Sequence, residues 1–285
     1  MVSLQAGELV CHVEPQLGGC ISGLWLGGVP VLRSTAPGAS LDSARQSGGY
    51  ALVPFSNRIG HATLQWQGTQ HPLVRNNAPE PHAIHGIGWQ RTWEVLESDD
   101  HFVMLSHEHA GDASWPFAFD VSQTVRVSAG SVEFTLAMTN QSATPAPAGL
   151  GWHPFFVKRA GSRISFAATG RWEMGGDMLP TRRDASQGLD TDCATLAVDH
   201  CFDGWNGVVE LRDEVLRTRI ASNLKRLVVF TNPARDIVAI EPVSHVNNAL
   251  ALVDAGGDPE SLGLAILQPG ETLTAQMAIE VGRAH

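Results

Sequence analysis

Alternation of apolar and polar residues recurs along this chain and constrains its fold more than any other feature. In SVEFTLAMTN, residues 131–140, every second residue from Val132 to Met138 is apolar, and TLTAQMAIEV, residues 272–281, follows the same pattern. A period of two places the apolar side chains on one face of a β-strand. Further strands are predicted in HFVMLSHEH, FDVSQTVRVS, RISFAATGRW, GVVELRDEV, RLVVFTN and DIVAIEP. Little of the chain has helical periodicity, so the sequence predicts an all-β fold.

The number of short strands limits how they can be arranged. An open antiparallel sheet of that size would leave its edges and one face uncovered, so the strands must close into a barrel or stack as two sheets. We predict a large antiparallel β-sandwich formed by a single domain, residues 1–285, because 43% hydrophobic residues can fill one sizeable core. SATPAPAG, residues 142–149, leads directly into apolar GWHPFF and is interpreted as a surface loop.

Charge and composition narrow the classes of partner. The formal net charge of −10, from 19 basic and 29 acidic residues, would repel a phosphate backbone, so we expect no nucleic-acid partner. No stretch approaches the roughly 20 apolar residues that span a bilayer, and MVSLQAGELVCHVEP lacks the basic start and apolar block of a signal peptide. We therefore expect a cytoplasmic protein without membrane contact. The four cysteines form no CxxC pair and are expected to be reduced.

Two segments place polar side chains beside glycine within apolar surroundings. PFSNRIG contains Asn57 and Arg58, and PHAIHGIGW contains His82 and His85. An arginine in such a loop either anchors the backbone or holds a ligand. The histidines are either solvated or functional, and Gly86 would allow close approach of the backbone beside His85. Both segments are candidate parts of a binding site.

A second pair of histidines lies on a predicted strand. His107 and His109 are two residues apart, so they share one face of the strand and could bind zinc together. No third ligand is evident in the sequence, and His82 and His85 lie among glycine and proline rather than on a helix. We therefore predict no metal site.

Two ionisable residues lie within apolar segments. GLGWHPFF contains His153, and DIVAIEP contains Glu241 in phase with Ile237. A buried carboxylate needs a partner or a chemical purpose. One interpretation is a buried ion pair between Glu241 and Arg58, and the other is catalysis. Likewise, His153 is either a core histidine bonded to a backbone carbonyl or an acid–base group.

Taken in order, these motifs resemble the aldose 1-epimerase (galactose mutarotase) family. The matching segments are SNRI (56–59), HG (85–86), HPFF (153–156), DHCF (199–202) and IEP (240–242). Each segment is short, but their order and spacing across nearly two hundred residues are specific. The strand pattern also suits the large two-sheet sandwich, or supersandwich, of galactose mutarotase. HGIG and GWHPFF depart from the best-known mutarotase pattern, so the resemblance leaves the sugar open.

The resemblance implies that the protein interconverts the α and β anomers of a free aldose without a cofactor. It implies that Glu241 is the general base for the C1 hydroxyl and that His153 is the general acid for the ring oxygen. His85 resembles the second histidine of the family, which supports the ring-oxygen side.

The resemblance also implies which residues hold the sugar hydroxyls. Asn57, Arg58 and Asp199 match these positions. Asp203 lies close to Asp199 in DHCFDGW, and either carboxylate could contact the substrate, although acidic residues in a turn most often cap backbone amides.

Aromatic residues flank His153 in the sequence. Trp152, Phe155 and Phe156 would exclude water from an acid–base site and offer an aromatic face to the C–H groups of a sugar. Trp152 is therefore a candidate substrate contact.

Ring opening of a pyranose explains the need for these residue types. A proton leaves O1 as another reaches O5, so one base and one acid must face different edges of the same ring. After rotation about C1–C2 their roles reverse. Histidine, with a reference pKa of about 6.5, can give and take a proton near neutrality.

Two other functions are compatible with the sequence. A sugar-phosphate epimerase, such as a hexose-6-phosphate 1-epimerase, would gather basic residues around the pocket, and Arg75, Arg91, Lys158 and Arg159 lie near the motifs. A catalytically silent carbohydrate-binding or regulatory protein could share the fold. Binding alone does not require a matched acid and base, which favours an enzyme acting on a small-molecule sugar. The sequence leaves the choice between monomer and homodimer open.

Overall fold

Twenty-seven strands follow one another in the computed structural model, which describes residues 1–36 and 39–284. In chain order they are β1 (Val2–Ala6), β2 (Leu9–Glu14), β3 (Cys20–Leu26), β4 (Val29–Pro30), β5 (Ala51–Leu52), β6 (Arg58–Ile59), β7 (Thr63–Trp66), β8 (Thr69–Pro72), β9 (Ala83–Ile84), β10 (Glu94–Ser98), β11 (Phe102–His109), β12 (Phe119–Ser128), β13 (Ser131–Asn140), β14 (Ala146–Ala148), β15 (Gly151–Trp152), β16 (Phe155–Val157), β17 (Arg163–Phe166), β18 (Gly170–Met174), β19 (Pro180–Ala185), β20 (Leu189–Asp192), β21 (Val198–Asp203), β22 (Val208–Arg212), β23 (Leu216–Ser222), β24 (Arg226–Thr231), β25 (Ile237–Val243), β26 (Ala265–Leu267) and β27 (Thr272–Arg283).

Helices are few and short. The described residues form two α-helices, α1 (Ala249–Asp254) and α2 (Pro259–Leu262), and three 3-10 helices, Ala44–Gln46, Gly60–Ala62 and Gly88–Gln90. No helix among the described residues has the length and apolar character needed to cross a membrane.

Two large antiparallel sheets carry most of the strands. Nine strands form one sheet in the order β10-β11-β12-β13-β27-β23-β22-β17-β20. The other sheet has eight strands, in the order β19-β18-β21-β24-β25-β15-β5 with β16 also paired to β25. The ring centroids of Phe134 on β13 and Trp152 on β15 are 6.4 Å apart, which places the two sheets face to face. The predicted antiparallel sandwich is therefore confirmed.

The apolar face of each alternating segment forms the core between the sheets. Along β13, Val132, Phe134, Leu136 and Met138 are all buried, as the period of two predicts. Burial of each such side chain contributes about 1.5–3 kcal/mol of transfer free energy, and it fixes which face of the strand points inward.

Three predicted segments differ from the structure. RISFAATGRW divides into β17 and β18, which belong to different sheets, so the chain crosses between sheets at residues 167–169. GVVELRDEV ends as a strand at Arg212, because Asp213 Oδ1 accepts hydrogen bonds from the backbone of Val215 and Leu216 and forms a turn. The SATPAPAG segment is only partly a loop, since its second half forms β14, buried and paired with β26.

Candidate active site

A cavity of about 460 Å³ lies against the eight-stranded sheet, on the side away from the nine-stranded sheet. Side chains alternate along β25, so Ile237 and Glu241 face the cavity whereas Val238 and Ile240 point to the other side. The lining residues are Arg33, Arg45, Tyr50, Asn57, Arg58, Glu80, Ile84, His85, His153, Phe155, Met178, Asp199, Val228, Phe230, Arg235, Ile237 and Glu241. Six of the seven predicted site residues are among them.

A carboxyl–imidazole pair lies in this cavity. Glu241 on β25 and His153, between β15 and β16, approach with Oε1 and Nε2 3.1 Å apart, and their side chains are only 3% and 10% exposed. Backbone pairing fixes the position of the histidine, because its N–H donates to the Tyr50 carbonyl at 2.9 Å. Glu241 Oε2 and His153 Nδ1 are buried without a hydrogen-bond partner in the described part of the chain. The pair therefore has polar atoms that a ligand can satisfy.

Burial governs the protonation of this pair. It raises the pKa of the Glu241 carboxyl well above its usual range, and the nearby negative charge of Asp199 raises that pKa further. Burial also lowers the pKa of His153 to about 3, assisted by the positive charges of Arg45 and Arg33. Both directions favour the uncharged forms. The pair therefore has no net charge.

His85 is held in one tautomer by the backbone. Its Nδ1 accepts a hydrogen bond from the Asn57 N–H at 3.2 Å, so the neutral ring carries its proton on Nε2. Burial lowers the pKa of His85 well below its usual value, and the charge of Arg58, like any proton on His153, acts in the same direction. The His85 and His153 rings meet edge to face with centroids 5.0 Å apart. His85 is therefore a neutral donor beside the Glu241–His153 pair.

The HG motif has a steric cause. His85 has a φ of 61° and Gly86 a φ of 69°, so two successive residues adopt the left-handed conformation. A Cβ at Gly86 would collide with the Val53 carbonyl oxygen. Glycine at this position lets the loop pack against the strand and present His85 to the cavity.

Arg58 lines the cavity but does not bind Glu241. Its Nε and Nη2 donate to the two carboxylate oxygens of Glu80 at 2.9 and 3.1 Å. The interpretation of a buried Arg58–Glu241 ion pair is therefore wrong, because a bidentate partner lies closer. The adjacent Asn57 accepts the Arg58 N–H with its side-chain oxygen at 2.9 Å. Sequence reasoning missed Glu80, which lies in a loop without a motif.

The structure distinguishes the two aspartates of the DHCFDGW segment. Asp199 lines the cavity, and burial raises the pKa of its carboxyl while the charge of Arg58 opposes that rise. Asp203 instead accepts hydrogen bonds from Trp172 Nε1 at 2.9 Å and from Arg183 Nε at 2.8 Å, outside the cavity. Asp199 is thus the carboxylate available to a ligand.

Trp152 was a candidate substrate contact, and this prediction is wrong. It is 3% exposed and packs toward Phe134 in the core between the sheets, because successive residues of a strand face opposite sides. Phe156 also lies outside the cavity. The aromatic side chains that line the cavity beside His153 are Phe155 and Tyr50, whose ring centroids lie 4.4 and 5.1 Å from the centroid of the His153 ring. Tyr50, the only tyrosine of the sequence, was missed because no motif surrounds it.

His82, His107 and His109 lie outside the cavity, and His82 and His109 have structural partners. His82 Nδ1 accepts the His61 N–H at 2.9 Å, and its Nε2 contacts the Asp177 carbonyl at 2.9 Å. His107 and His109 share one side of β11 as predicted, and His109 Nε2 contacts the Trp115 carbonyl at 2.7 Å. Within residues 1–36 and 39–284, no group of three or more His, Cys, Asp or Glu residues could hold a metal ion.

The basic residues proposed for phosphate binding lie elsewhere. Arg75, Arg91, Lys158 and Arg159 do not line the cavity. Arg91 pairs with Asp112 at 3.2 Å, Arg159 pairs with Asp213 at 3.0 Å, and Lys158 donates to the Asn232 carbonyl at 2.8 Å. Three other arginines, Arg33, Arg45 and Arg235, line the cavity instead.

The fold is a galactose mutarotase-like β-sandwich. A crystal structure of a galactose mutarotase-like protein from Clostridium acetobutylicum superposes with a TM-score of 0.84 at 19% identity, covering 99% of this chain and 95% of that one. A crystal structure of a candidate aldose 1-epimerase from Escherichia coli K12 has a TM-score of 0.88 at 28% identity, covering 99% and 98% of the two chains.

Sequence comparison gives the family. The chain is 30% identical to the uncharacterized protein YphB of Escherichia coli (strain K12) over 98% of both chains. The sequence pattern of the aldose 1-epimerase family matches residues 1–280. The chain belongs to the aldose 1-epimerase family.

Proposed function

We propose that the protein is an aldose 1-epimerase, an isomerase that interconverts the α and β anomers of a sugar through its open-chain form without a cofactor. The observation that carries this proposal is the 3.1 Å contact between Glu241 Oε1 and His153 Nε2 inside the cavity. O1 and O5 of a pyranose are bonded to the same carbon, so an acid and a base that act on them must be close neighbours.

Ring opening begins from the carboxylate–imidazolium form of the pair. The Glu241 carboxylate takes the proton of the O1 hydroxyl, His153 gives its proton to O5, the C1–O5 bond breaks and the C1=O1 double bond forms. The pair is left as carboxylic acid and imidazole. Its total proton count and its net charge are unchanged.

Ring closure runs the same steps in reverse. After rotation about C1–C2, O5 attacks the other face of C1, the O5 proton returns to His153, and Glu241 protonates O1. The two forms of the pair differ by the position of one proton along the 3.1 Å contact. Because burial favours the uncharged forms, carboxylic acid and imidazole are the resting form, and transfer of the Glu241 proton to His153 Nε2 gives the carboxylate–imidazolium form that opens the ring.

The surrounding residues bind and orient the ring. His85 presents its Nε2–H, so it donates a hydrogen bond on the ring-oxygen side. Asn57, Arg58 and Asp199 hold hydroxyl groups, and Glu80 fixes the plane of the Arg58 guanidinium through two hydrogen bonds. Phe155 and Tyr50 exclude water from His153.

Exchange NMR on purified protein tests the proposal. A panel of free and phosphorylated hexoses and pentoses is mixed with increasing protein concentrations, and the rate of anomer exchange is compared with the spontaneous rate. We expect the exchange rate of at least one sugar to rise in proportion to the protein concentration. Sugar binding without faster exchange across the whole panel would make the protein a carbohydrate-binding module and overturn the proposal.

A further inference from the structure

Three arginines line the candidate active site without a carboxylate partner. Arg33, Arg45 and Arg235 all face the cavity, and in the described part of the chain no Asp or Glu oxygen lies within 4.0 Å of their guanidinium nitrogens. Arg58, in the same cavity, is fully paired with Glu80. No salt bridge in the described part of the chain therefore neutralises these three guanidinium groups, although the charge of Asp236 acts on Arg33.

The charge balance of the cavity is positive. Arg58 and Glu80 cancel, and the Glu241–His153 pair is neutral as a unit. Among the lining residues, three arginines without a salt bridge then remain beside one carboxylate, Asp199, which leaves a formal charge of three minus one, or +2. The charge of Asp236, which acts on Arg33 from outside the lining, reduces this to +1. The whole chain has a formal net charge of −10, so this positive region opposes the overall field. A cluster of like charges costs free energy, which an anionic ligand would offset.

Neutral acceptors hold two of these arginines in place. Arg33 Nε donates to the Ser47 carbonyl at 2.8 Å, its Nη2 donates to the Arg45 carbonyl, and its guanidinium lies 3.9 Å from the Phe155 ring centroid. Arg45 Nη1 donates to Asn77 Oδ1. Carbonyl and amide oxygens fix the direction of a guanidinium without cancelling its charge, so its other N–H groups stay available.

Position along β25 separates Arg235 from the Glu241–His153 pair. Glu241 and Ile237 both line the cavity and are four residues apart, which corresponds to about 13 Å along an extended strand. Phe155 pairs with Ala239, midway between them, and carries Arg33 on its ring. Arg235 precedes Ile237 by two residues. Arg235 thus lies toward the end of the cavity away from Glu241, while Arg33 and Arg45 lie closer to His153, whose pKa their charges help to lower.

We propose that the sugar substrate carries an anionic substituent away from C1, and that Arg33, Arg45 and Arg235 bind this group. The group is a phosphate, a sulfate or a carboxylate, since each presents the oxygen pair that a guanidinium binds with two parallel hydrogen bonds. This inference rests on the proposed epimerase function and specifies its substrate class.

A substrate panel with matched variants tests the subsite. We would measure kcat/KM by exchange NMR for one neutral aldohexose, its 3-, 4- and 6-monophosphates, its 6-sulfate and its uronic acid. The variants are Arg235→Gln and Arg45→Gln, since both side chains are exposed and their loss leaves the core intact. The control is Arg217→Gln, an exposed residue on the other sheet that pairs with Glu210.

We expect at least one anionic sugar to exceed the neutral sugar by about tenfold or more in kcat/KM, because charge-assisted hydrogen bonds discriminate at that level. Each cavity variant should lower the ratio of anionic to neutral kcat/KM by about tenfold. Arg217→Gln should leave the ratio unchanged. A wild-type ratio near one that neither variant alters would overturn the anion subsite while the epimerase function stands.

A second measurement covers the case in which no sugar is turned over. That result would contradict the proposed function, and the subsite is then decided by calorimetry with the hexose 6-phosphate and with inorganic phosphate. Binding that Arg235→Gln weakens by about tenfold supports the subsite. Absent binding, or binding that the variant does not change, contradicts it.

Discussion

Replacement of Glu241 by glutamine separates catalysis from structure at the central pair. Glutamine has nearly the shape of glutamate, and its amide can donate to His153 Nε2 across the 3.1 Å contact. An amide cannot accept the O1 proton near neutral pH. We expect kcat to fall by about 10²- to 10⁴-fold, which corresponds to about 3–5 kcal/mol in the activation free energy.

The stability of the Glu241→Gln variant should change little. Arg58 is bound by Glu80, so loss of the Glu241 carboxylate leaves no buried guanidinium unpaired. Because burial already favours the uncharged acid, a neutral amide suits the same surroundings. We expect the free energy of unfolding to stay within about 1 kcal/mol of the wild-type value.

The assay combines anomer exchange by NMR, thermal unfolding and sugar binding by calorimetry on the same preparation. Glu80→Gln is the matched control, because it alters another carboxylate of the cavity and leaves the Glu241–His153 pair in place. The control should bind sugar more weakly and retain more turnover than Glu241→Gln. Wild-type exchange by Glu241→Gln, or a loss that merely follows its folded fraction, would refute the role of Glu241 as the base.

Four further predictions follow from the same geometry. His85→Asn, chosen because asparagine tolerates a φ of 61°, should keep the fold and lower kcat by about 10²-fold or more, and an unchanged kcat would remove His85 from the mechanism. In Arg58→Lys, the lysine cannot form both parallel hydrogen bonds to Glu80, so KM should rise with little change in kcat. An unchanged KM with a lower Tm would show that the Arg58–Glu80 pair is purely structural. Burial lowers the pKa of His245 to about 4, so the unfolded chain binds the proton of this group first as pH falls from about 6.5. His245 alone should lower the urea-derived free energy of unfolding by on the order of 3 kcal/mol by pH 4, so His245→Gln should lose that much less stability over this range, and equal pH profiles of the two proteins would contradict this. Turnover should survive exhaustive chelation, and activity restored only by added metal would show that the cofactor-independent mechanism is wrong.

Local pattern was sufficient to predict the architecture. The alternation in SVEFTLAMTN fixed the inward face of β13, because the direction of a side chain along a strand depends only on whether its position is odd or even. The HG motif predicted close backbone approach at Gly86, since the conformation of a loop depends strongly on its own glycine. His85, beside that glycine, and His153 and Glu241, ionisable residues within apolar segments, were site candidates from the sequence alone.

Only the tertiary structure decided which side chains share the cavity. Trp152 and His153 are adjacent in sequence but face opposite sides of the sheet. The prediction that Trp152 contacts the substrate treated the two neighbours as one motif, and it was therefore wrong. Glu80, the partner of Arg58, and Arg33, beside Phe155, come from loops distant in sequence from the residues they contact. Their convergence depends on strand register and on loop paths across the sheet, which arise from packing of the whole core and leave no periodic signal in the sequence.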